Sequence, residues 1–213
     1  MKDLSKRKIV IVGGGGHARV LLDILRLRKQ VITGYTDVKV RAPMPLKYLG
    51  DDAAFIKKHS PREVVLVNGI GSVGLPQARR EVYERFKKAG FVFLSVIHPR
   101  AVIASDAVLG EGVQAMAGTV VNTGARAGEN VIINTLSSVD HDSNIGAHTH
   151  IAPGVTVCAD VHIGEGCHAG TGAKFIQGLR IGDGVLICAG AVVVKDIASH
   201  QQAAGVPARV RKT

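Results

Sequence analysis

Large aromatic side chains are scarce in this chain: there is no Trp, and Phe, Tyr and Trp together make up 4% of its 213 residues. Rings usually fill thick cores. A hydrophobic content of 46% with so few rings therefore predicts small aliphatic side chains in a narrow, repeated cross-section. Cysteine is rare too. Cys158, Cys167 and Cys188 are odd in number and form no C-x-x-C pair, which argues against a disulfide framework or a zinc ribbon and fits a reducing cytoplasm. No apolar run reaches the length of a membrane span. The run KIVIV at 8–12 follows basic residues, but glycines end it at once, unlike a secretory signal.

Acidic residues are outnumbered, and the net charge is +10. Nucleic-acid binding is disfavoured, because the aromatics needed for base stacking are missing. Anionic small ligands, such as nucleotide diphosphates or coenzyme A, fit the charge better. Part of that charge, KDLSKRK at 2–8, reads as a mobile basic start.

The length allows one large domain or two small ones, and the chain has two grammars. Up to about residue 98, strands alternate with helices. Strands are expected at 8–12, 31–37, 62–71 and 91–97, and helices at 17–29, 51–60 and 75–90. Val20, Leu21, Ile24 and Leu25 mark the apolar face of the first helix. This alternation indicates a small parallel, Rossmann-like α/β sheet in a domain spanning 1–98. Its ligand crevice belongs at the strand ends, 13–17, 36–39 and 68–72, which include Gly69.

From 99 to 213 the period is six. Counted from Ile103, every sixth residue is apolar through Leu109, Ala115, Val121 and onward to Ile181, Ile187 and Val193, with no break in register. A helix repeats at 3.6 and a free strand at 2. A six-residue period is a solenoid signature. Six residues make one flat wall and one corner, so three hexads make a triangular coil of eighteen.

This half resembles the left-handed parallel β-helix of hexapeptide-repeat acyltransferases. The resemblance implies a homotrimer with acyl-CoA held between neighbouring helices. His141 and Asp142 take the third and fourth places of the hexad that starts at Val139. These are corner places, where Asp is also favoured on backbone grounds alone. In this fold, corners face the cleft between subunits. His141 is therefore the candidate general base and Asp142 its orienting partner. Ala159 lies one coil beyond His141 and offers either a donor for a thioester oxyanion or an ordinary ladder N–H. His150 and His168 are also one coil apart, as ligand-site or surface residues. Gamma-class carbonic anhydrases share the β-helix and hold zinc on histidines about two coils apart. No two of His141, His148, His150, His162 and His168 are so spaced, so no metal is expected, and His148, His162 and His168 are left without a role. Cys158 and Cys188 have no base beside them in sequence and Cys167 precedes His168, and no cysteine nucleophile is indicated.

The stretch IVIVGGGGHARVLLDIL at 9–25 sets glycines between a strand and a helix, and Gly13-x-Gly15-x-x-Ala18 with Asp37 meets a loose dinucleotide fingerprint. A tight turn without ligand is the plainer reading. The two halves together resemble the sialic acid O-acetyltransferase type of sugar acyltransferase, which includes nucleotide-amino-sugar N-acetyltransferases. The resemblance rests on GGGGHARV, LGDDAAF, NGIGSV, SVIHPRAVIASDAVLGEG, DHDSNIGAHTHIAPGV and GVPARV. It implies that the first unit holds a nucleotide sugar near Gly13, Gly14, Gly16 and His17, that acetyl-CoA lies on the β-helix, and that His141 is the base. The strand-end crevice adds Asp37 and Gly69, and the stacked wall His150, as substrate candidates; Ala159, by its place in the coil, and Arg209, by its charge, are the acetyl-CoA candidates. Family members often have a second acidic residue beside Asp37. Here Thr36 and Val38 flank it, which leaves the nucleobase open. Arg209, Arg211 and Lys212 are CoA-phosphate contacts or a solvated tail. The implied reaction is transfer of acetyl to the 4-amino group of a nucleotide-linked 4-amino-4,6-dideoxysugar, GDP-perosamine or similar. A sugar O-acetyltransferase and a non-catalytic β-helix binding protein are the other readings.

Overall fold

The computed structural model describes residues 7–211, so most of the basic start at 2–8, and Lys212, lie outside it. Strand β1 (Lys8–Val12), helix α1 (Gly16–Leu27), strand β2 (Ile32–Thr36), helix α2 (Asp52–Lys58), strand β3 (Val64–Asn68) and helix α3 (Gln77–Lys88) follow in order. The three strands form a parallel sheet in the order β2-β1-β3. Strand β3 is buried throughout, as a parallel strand covered on both faces requires. The N-cap Asp51 accepts the Ala54 N–H at 2.8 Å and starts α2. Gly90, with φ +85°, follows α3.

The scarce rings are concentrated. Phe55, Tyr83, Phe86, Phe91 and Phe93 pack together on the sheet face formed by Val10, Val12, Val64 and Leu66. The opposite face, Ile9, Ile11, Val65 and Val67, meets Leu21, Leu22, Ile24 and Leu25 of α1. Val20 is the exception to the expected helix face: it is half-exposed.

The expected fourth strand at 91–97 is not part of this sheet. Phe93 touches Leu66 through a single bridge. Val96–Ile97, strand β4, instead pairs in parallel with Gln114–Ala115. The Val96 and His98 N–H groups donate to Val113 and Ala115 carbonyls. The segment therefore serves the first coil of the second unit.

That unit is a parallel β-helix. Val96, Gln114, Ile132, His150, His168 and Leu186 stack in register, eighteen residues apart. Its three walls are sheets of eight, six and five short strands. The first places of the hexads, from Val121 through Ile133, Ile151 and Phe175 to Val193, are buried in one apolar core, joined by fifth-place Val131, Val155 and Val185. Each fully buried Val or Ile contributes about 1.5–3 kcal/mol. Glycines serve two purposes here. At second places the coils approach closely: a methyl at Gly128 would lie 2.7 Å from the Ala147 backbone N. Fourth places turn the corner with left-handed backbone, by Gly at Gly124 and Gly154 and by Asp at Asp142 (φ 59°).

The α/β unit docks on one wall of the prism. Gln114, Ile132 and His150, which point outward from that wall, are buried beneath it. Among the described residues no helix is long and apolar enough to cross a membrane.

Candidate active site

The carboxyl ends of β1, β2 and β3 face the docked wall and enclose a cleft of about 570 Å³. Gly15, Gly16 and His17 line it from the loop before α1 and its first turn. Asp37 and Arg41 line it beyond β2, and Gly69, Ile70, Gly71, Ser72 and Val73 beyond β3. Val20 lies at its edge. Asn134, Thr135 and His150 close it from the β-helix. Gly13 and Gly14 support the loop rather than line the cleft. Gly13 has φ +91° and donates its N–H to Thr36 O at 2.7 Å. A methyl on Gly14 would strike Tyr35 at 2.7 Å. Nothing lies within 4 Å of where a methyl on Gly15 would sit. Bare backbone at a helix N-terminus is suited to an anion such as a diphosphate.

Asp37 anchors the β2 end of the cleft. Its Oδ2 accepts from the Gly14 N–H at 2.9 Å and from Arg41 Nε at 3.1 Å. Burial by itself would raise the pKa of this carboxyl, but those two donors outweigh burial and hold it below the usual Asp value.

Two histidines reach the cleft from opposite sides, and both are held neutral. His17 Nε2 pairs with Gln114 Oε1 at 2.7 Å, and Gln114 Nε2 donates to Asn68 O at 2.7 Å. Burial, with the Arg79 charge second, lowers the His17 pKa to about 4. His150 sits between Ser72 Oγ, 2.8 Å from Nδ1, and Asn134 Nδ2, 3.0 Å from Nε2. Burial, then the neighbouring His168, lowers its pKa to about 3. The His150 and His168 rings meet edge-on at 5.0 Å. Both are buried under the docked unit, so neither is a surface residue.

Beneath the cleft, the fully buried Arg79 ties the two units together. It donates to the carbonyls of Asn68, Ile70 and Asn130 at 3.0, 2.7 and 3.2 Å. Asn68 Nδ2 reaches Asn130 Oδ1 at 3.0 Å, and Asn130 Nδ2 reaches His148 Nδ1 at 3.0 Å. His148 packs edge-on against Tyr83 and is a buried joint residue. His162 is outside the joint, 3.2 Å from Asp160.

His141 and Asp142 turn the corner between strands Ser138–Val139 and Asn144–Ile145. His141 Nδ1 lies 2.9 Å from Asp142 Oδ2, and about half of the ring is exposed. The hydrogen bond to Asp142 is the main reason the His141 pKa is raised. The Cys158 N–H donates to Phe175 O in the following coil, and the Asp160 N–H donates to His141 O in the preceding one. Among the described residues the Ala159 N–H has no acceptor. His141 does not line the cleft of its own chain. The cleft residues Asn134 and Thr135 occupy the preceding corner, and the Ser138–Val139 wall lies between.

Cys167 is buried, and burial pushes its thiol up to about 11. Cys158 and Cys188 are free and half-buried. Among the described residues no group of three His, Cys, Asp or Glu side chains is placed to hold a metal ion. Arg209 lies on the exposed strand Arg209–Val210, which pairs antiparallel with Gln202–Ala204 at the far end of the prism.

Comparison with known proteins matches residues 8–86 to the PglD N-terminal domain. The acetyltransferase domain of PglB from Neisseria gonorrhoeae FA1090 superposes with TM-score 0.90 at 32% identity, over 96% of this chain and all of that one. The chain belongs to the sugar acyltransferase family that its motifs resemble. PerB from Caulobacter crescentus, solved with CoA and GDP-perosamine, superposes with TM-score 0.89 at 34% identity, over 96% of this chain and 97% of its own. The gonococcal domain has also been solved with acetyl coenzyme A. UDP-N-acetylbacillosamine N-acetyltransferase of Bacillus subtilis (strain 168) is 32% identical over 116 residues. That match spans about half of each chain, 52%.

Arg41, Ser72 and Asn134 line the cleft, and Gln114 and Arg79 brace it, without any motif in the sequence that marks them. Ser72 follows Gly71 inside the expected crevice at 68–72, and only that position marked it. Gln114 and Asn134 follow no local pattern, because they come from the opposite unit.

Proposed function

We propose that the protein is an acetyl-CoA-dependent N-acetyltransferase acting on the 4-amino group of a nucleotide-linked 4-amino-4,6-dideoxysugar, GDP-perosamine or a close relative. The observation that carries the reading is the 2.9 Å contact of His141 with Asp142 on an open corner. An imidazole that gives its Nδ1–H to a carboxylate keeps the Nε2 lone pair for a proton.

In this reaction the sugar amine attacks the thioester carbon while His141 Nε2 takes the amine proton. The Ala159 N–H donates to the oxyanion. Collapse breaks the carbon–sulfur bond, and the CoA sulfur leaves with the proton from the imidazolium. Attack is direct, without an acyl-enzyme. The relatives bound to CoA, acetyl-CoA and GDP-perosamine support both ligand classes. Since those relatives are N-acetyltransferases, nitrogen is favoured over oxygen as the acceptor.

The cleft holds the nucleotide sugar, with the diphosphate at the α1 N-terminus. Its chain's own His141 is one corner away, so the working unit is a homotrimer in which each cleft opens toward a neighbour's His141. Exposed Val102 and Leu136 give the intervening wall and corner apolar surface for such packing. Arg209, on the exposed last strand, is the proposed contact for CoA phosphates.

The test is His141→Asn. Turnover of acetyl-CoA with GDP-perosamine should fall by about 10²–10⁴ while CoA binding persists. Unchanged turnover removes His141 as the base. Transfer to a sialic acid hydroxyl instead of the amine moves the assignment to an O-acetyltransferase.

A further inference from the structure

The β-helix wall decides which nitrogen of each cleft histidine carries its proton. Asn134 Oδ1 accepts the Thr135 backbone N–H at 2.8 Å. The opposite amide orientation would set two donors against each other, so Asn134 turns its Nδ2 to His150. That nitrogen is 3.0 Å from His150 Nε2, which must accept. Neutral His150 therefore carries its proton on Nδ1 and donates it to Ser72 Oγ at 2.8 Å. The Ser72 hydroxyl then keeps its own proton free, and among the described residues nothing accepts it.

The same logic applies to His17. Asn68 O can only accept, so Gln114 presents Nε2 to it and Oε1 to His17. His17 Nε2 thus donates, and Nδ1 is left as an acceptor. His17 and Ser72 flank Gly71, where a methyl would lie 3.1 Å from His17 Cβ. Both side chains line the cleft. One fixed acceptor and one fixed donor thus line the same cleft, beside Asn134 and His150 of the β-helix.

We infer that Ser72 is a specificity-determining donor to the sugar part of the ligand, its proton released into the cleft by the Asn134–His150 relay. The inference rests on the reading of the cleft as the nucleotide-sugar site. A ring hydroxyl both gives and takes a hydrogen bond, so it satisfies His17 and Ser72 together. A group that only donates or only accepts leaves one of them unpaired, and such mismatches discriminate strongly.

The experiment compares wild type, Ser72→Ala and Ser72→Thr. The probes are the GDP-, UDP- or dTDP-linked 4-amino-4,6-dideoxysugar that the wild type turns over, and the matching nucleoside diphosphate. Ser72→Ala should raise KM for the nucleotide sugar roughly tenfold. It should leave kcat within about twofold and the affinity for the nucleoside diphosphate unchanged. Ser72→Thr keeps the hydroxyl and should restore KM. Nitrogen NMR of His150 should report the Nδ1–H tautomer. An unchanged KM, equal weakening of both probes, or the Nε2–H tautomer overturns the inference alone. A wild type that binds none of these probes overturns it together with the reading of the cleft.

Discussion

His141 Nδ1 and Asp142 Oδ2 meet at 2.9 Å across a single peptide unit. The left-handed backbone at Asp142, φ 59°, lies at the sharpest point of that corner. Asp tolerates this conformation better than most residues, so one residue turns the coil and holds the His141 ring.

This pairing sets a pH dependence. The hydrogen bond that His141 donates to Asp142 raises the His141 pKa above its ordinary value of 6.5, with burial opposing and Asp140 adding to it. A base must be neutral, so kcat/KM should rise with pH through an inflection above that value. Asp142→Asn should move the inflection to lower pH and reduce the plateau. Comparing the variant with wild type on the same substrate cancels titration of the sugar amine. An inflection that stays in place separates Asp142 from the base.

The cleft and the proposed base of one chain lie on different corners, so in the proposed trimer two differently damaged copies should rescue each other. His141→Asn and Gly15→Ala subunits, each inactive alone, should regain activity when co-assembled. Random mixing in a closed ring leaves about one interface in four with both good halves. Co-expressed and separately tagged subunits provide the assay. Absence of any recovery places base and cleft in one subunit.

The glycines of the crevice should separate folding from binding. A methyl on Gly69 would sit 2.7 Å from Ile11 Cγ2 and 2.8 Å from Val12 O. Gly69→Ala should therefore cost about 1–3 kcal/mol of stability. Gly15 has open space, so Gly15→Ala should melt within a degree or two of wild type yet bind nucleoside diphosphate far more weakly. Thermal melts with and without ligand read both effects.

Acid should loosen the joint between the units. His17 and His150 are lowered to about 4 and about 3 when folded, burial being the first cause for each. Below pH 6.5 the unfolded chain binds their protons and the folded chain does not. Their stabilisation is complete above pH 6.5 and declines as pH falls toward 4, by up to about 1.4 kcal/mol per pH unit for each histidine. Denaturant melts from pH 7.5 to 4.5 should show this slope, and His17→Gln should flatten it. An unchanged slope assigns the acid loss to other groups.

Much of this architecture was legible along the chain. The six-residue register from Ile103 to Val193 is local, since each hexad buries its own first residue, and no distant partner can alter which residues those are. The crevice was legible too, because a parallel sheet places its strand ends on one side wherever it sits. The run at 91–97 shows the limit. Its apolar pattern suits a strand in either unit, and only the Val96 bond to Val113 chose the β-helix.

What periodicity determined by itself, then, was the prism, its corners, and His141 with Asp142 on one of them. Tertiary structure alone decided which groups meet at the cleft. Ser72 reaches His150 across 78 residues and His17 reaches Gln114 across 97. Those meetings depend on how an α/β unit docks on a stacked wall, and docking is set by the summed shape and burial of two surfaces rather than by any pattern within one segment.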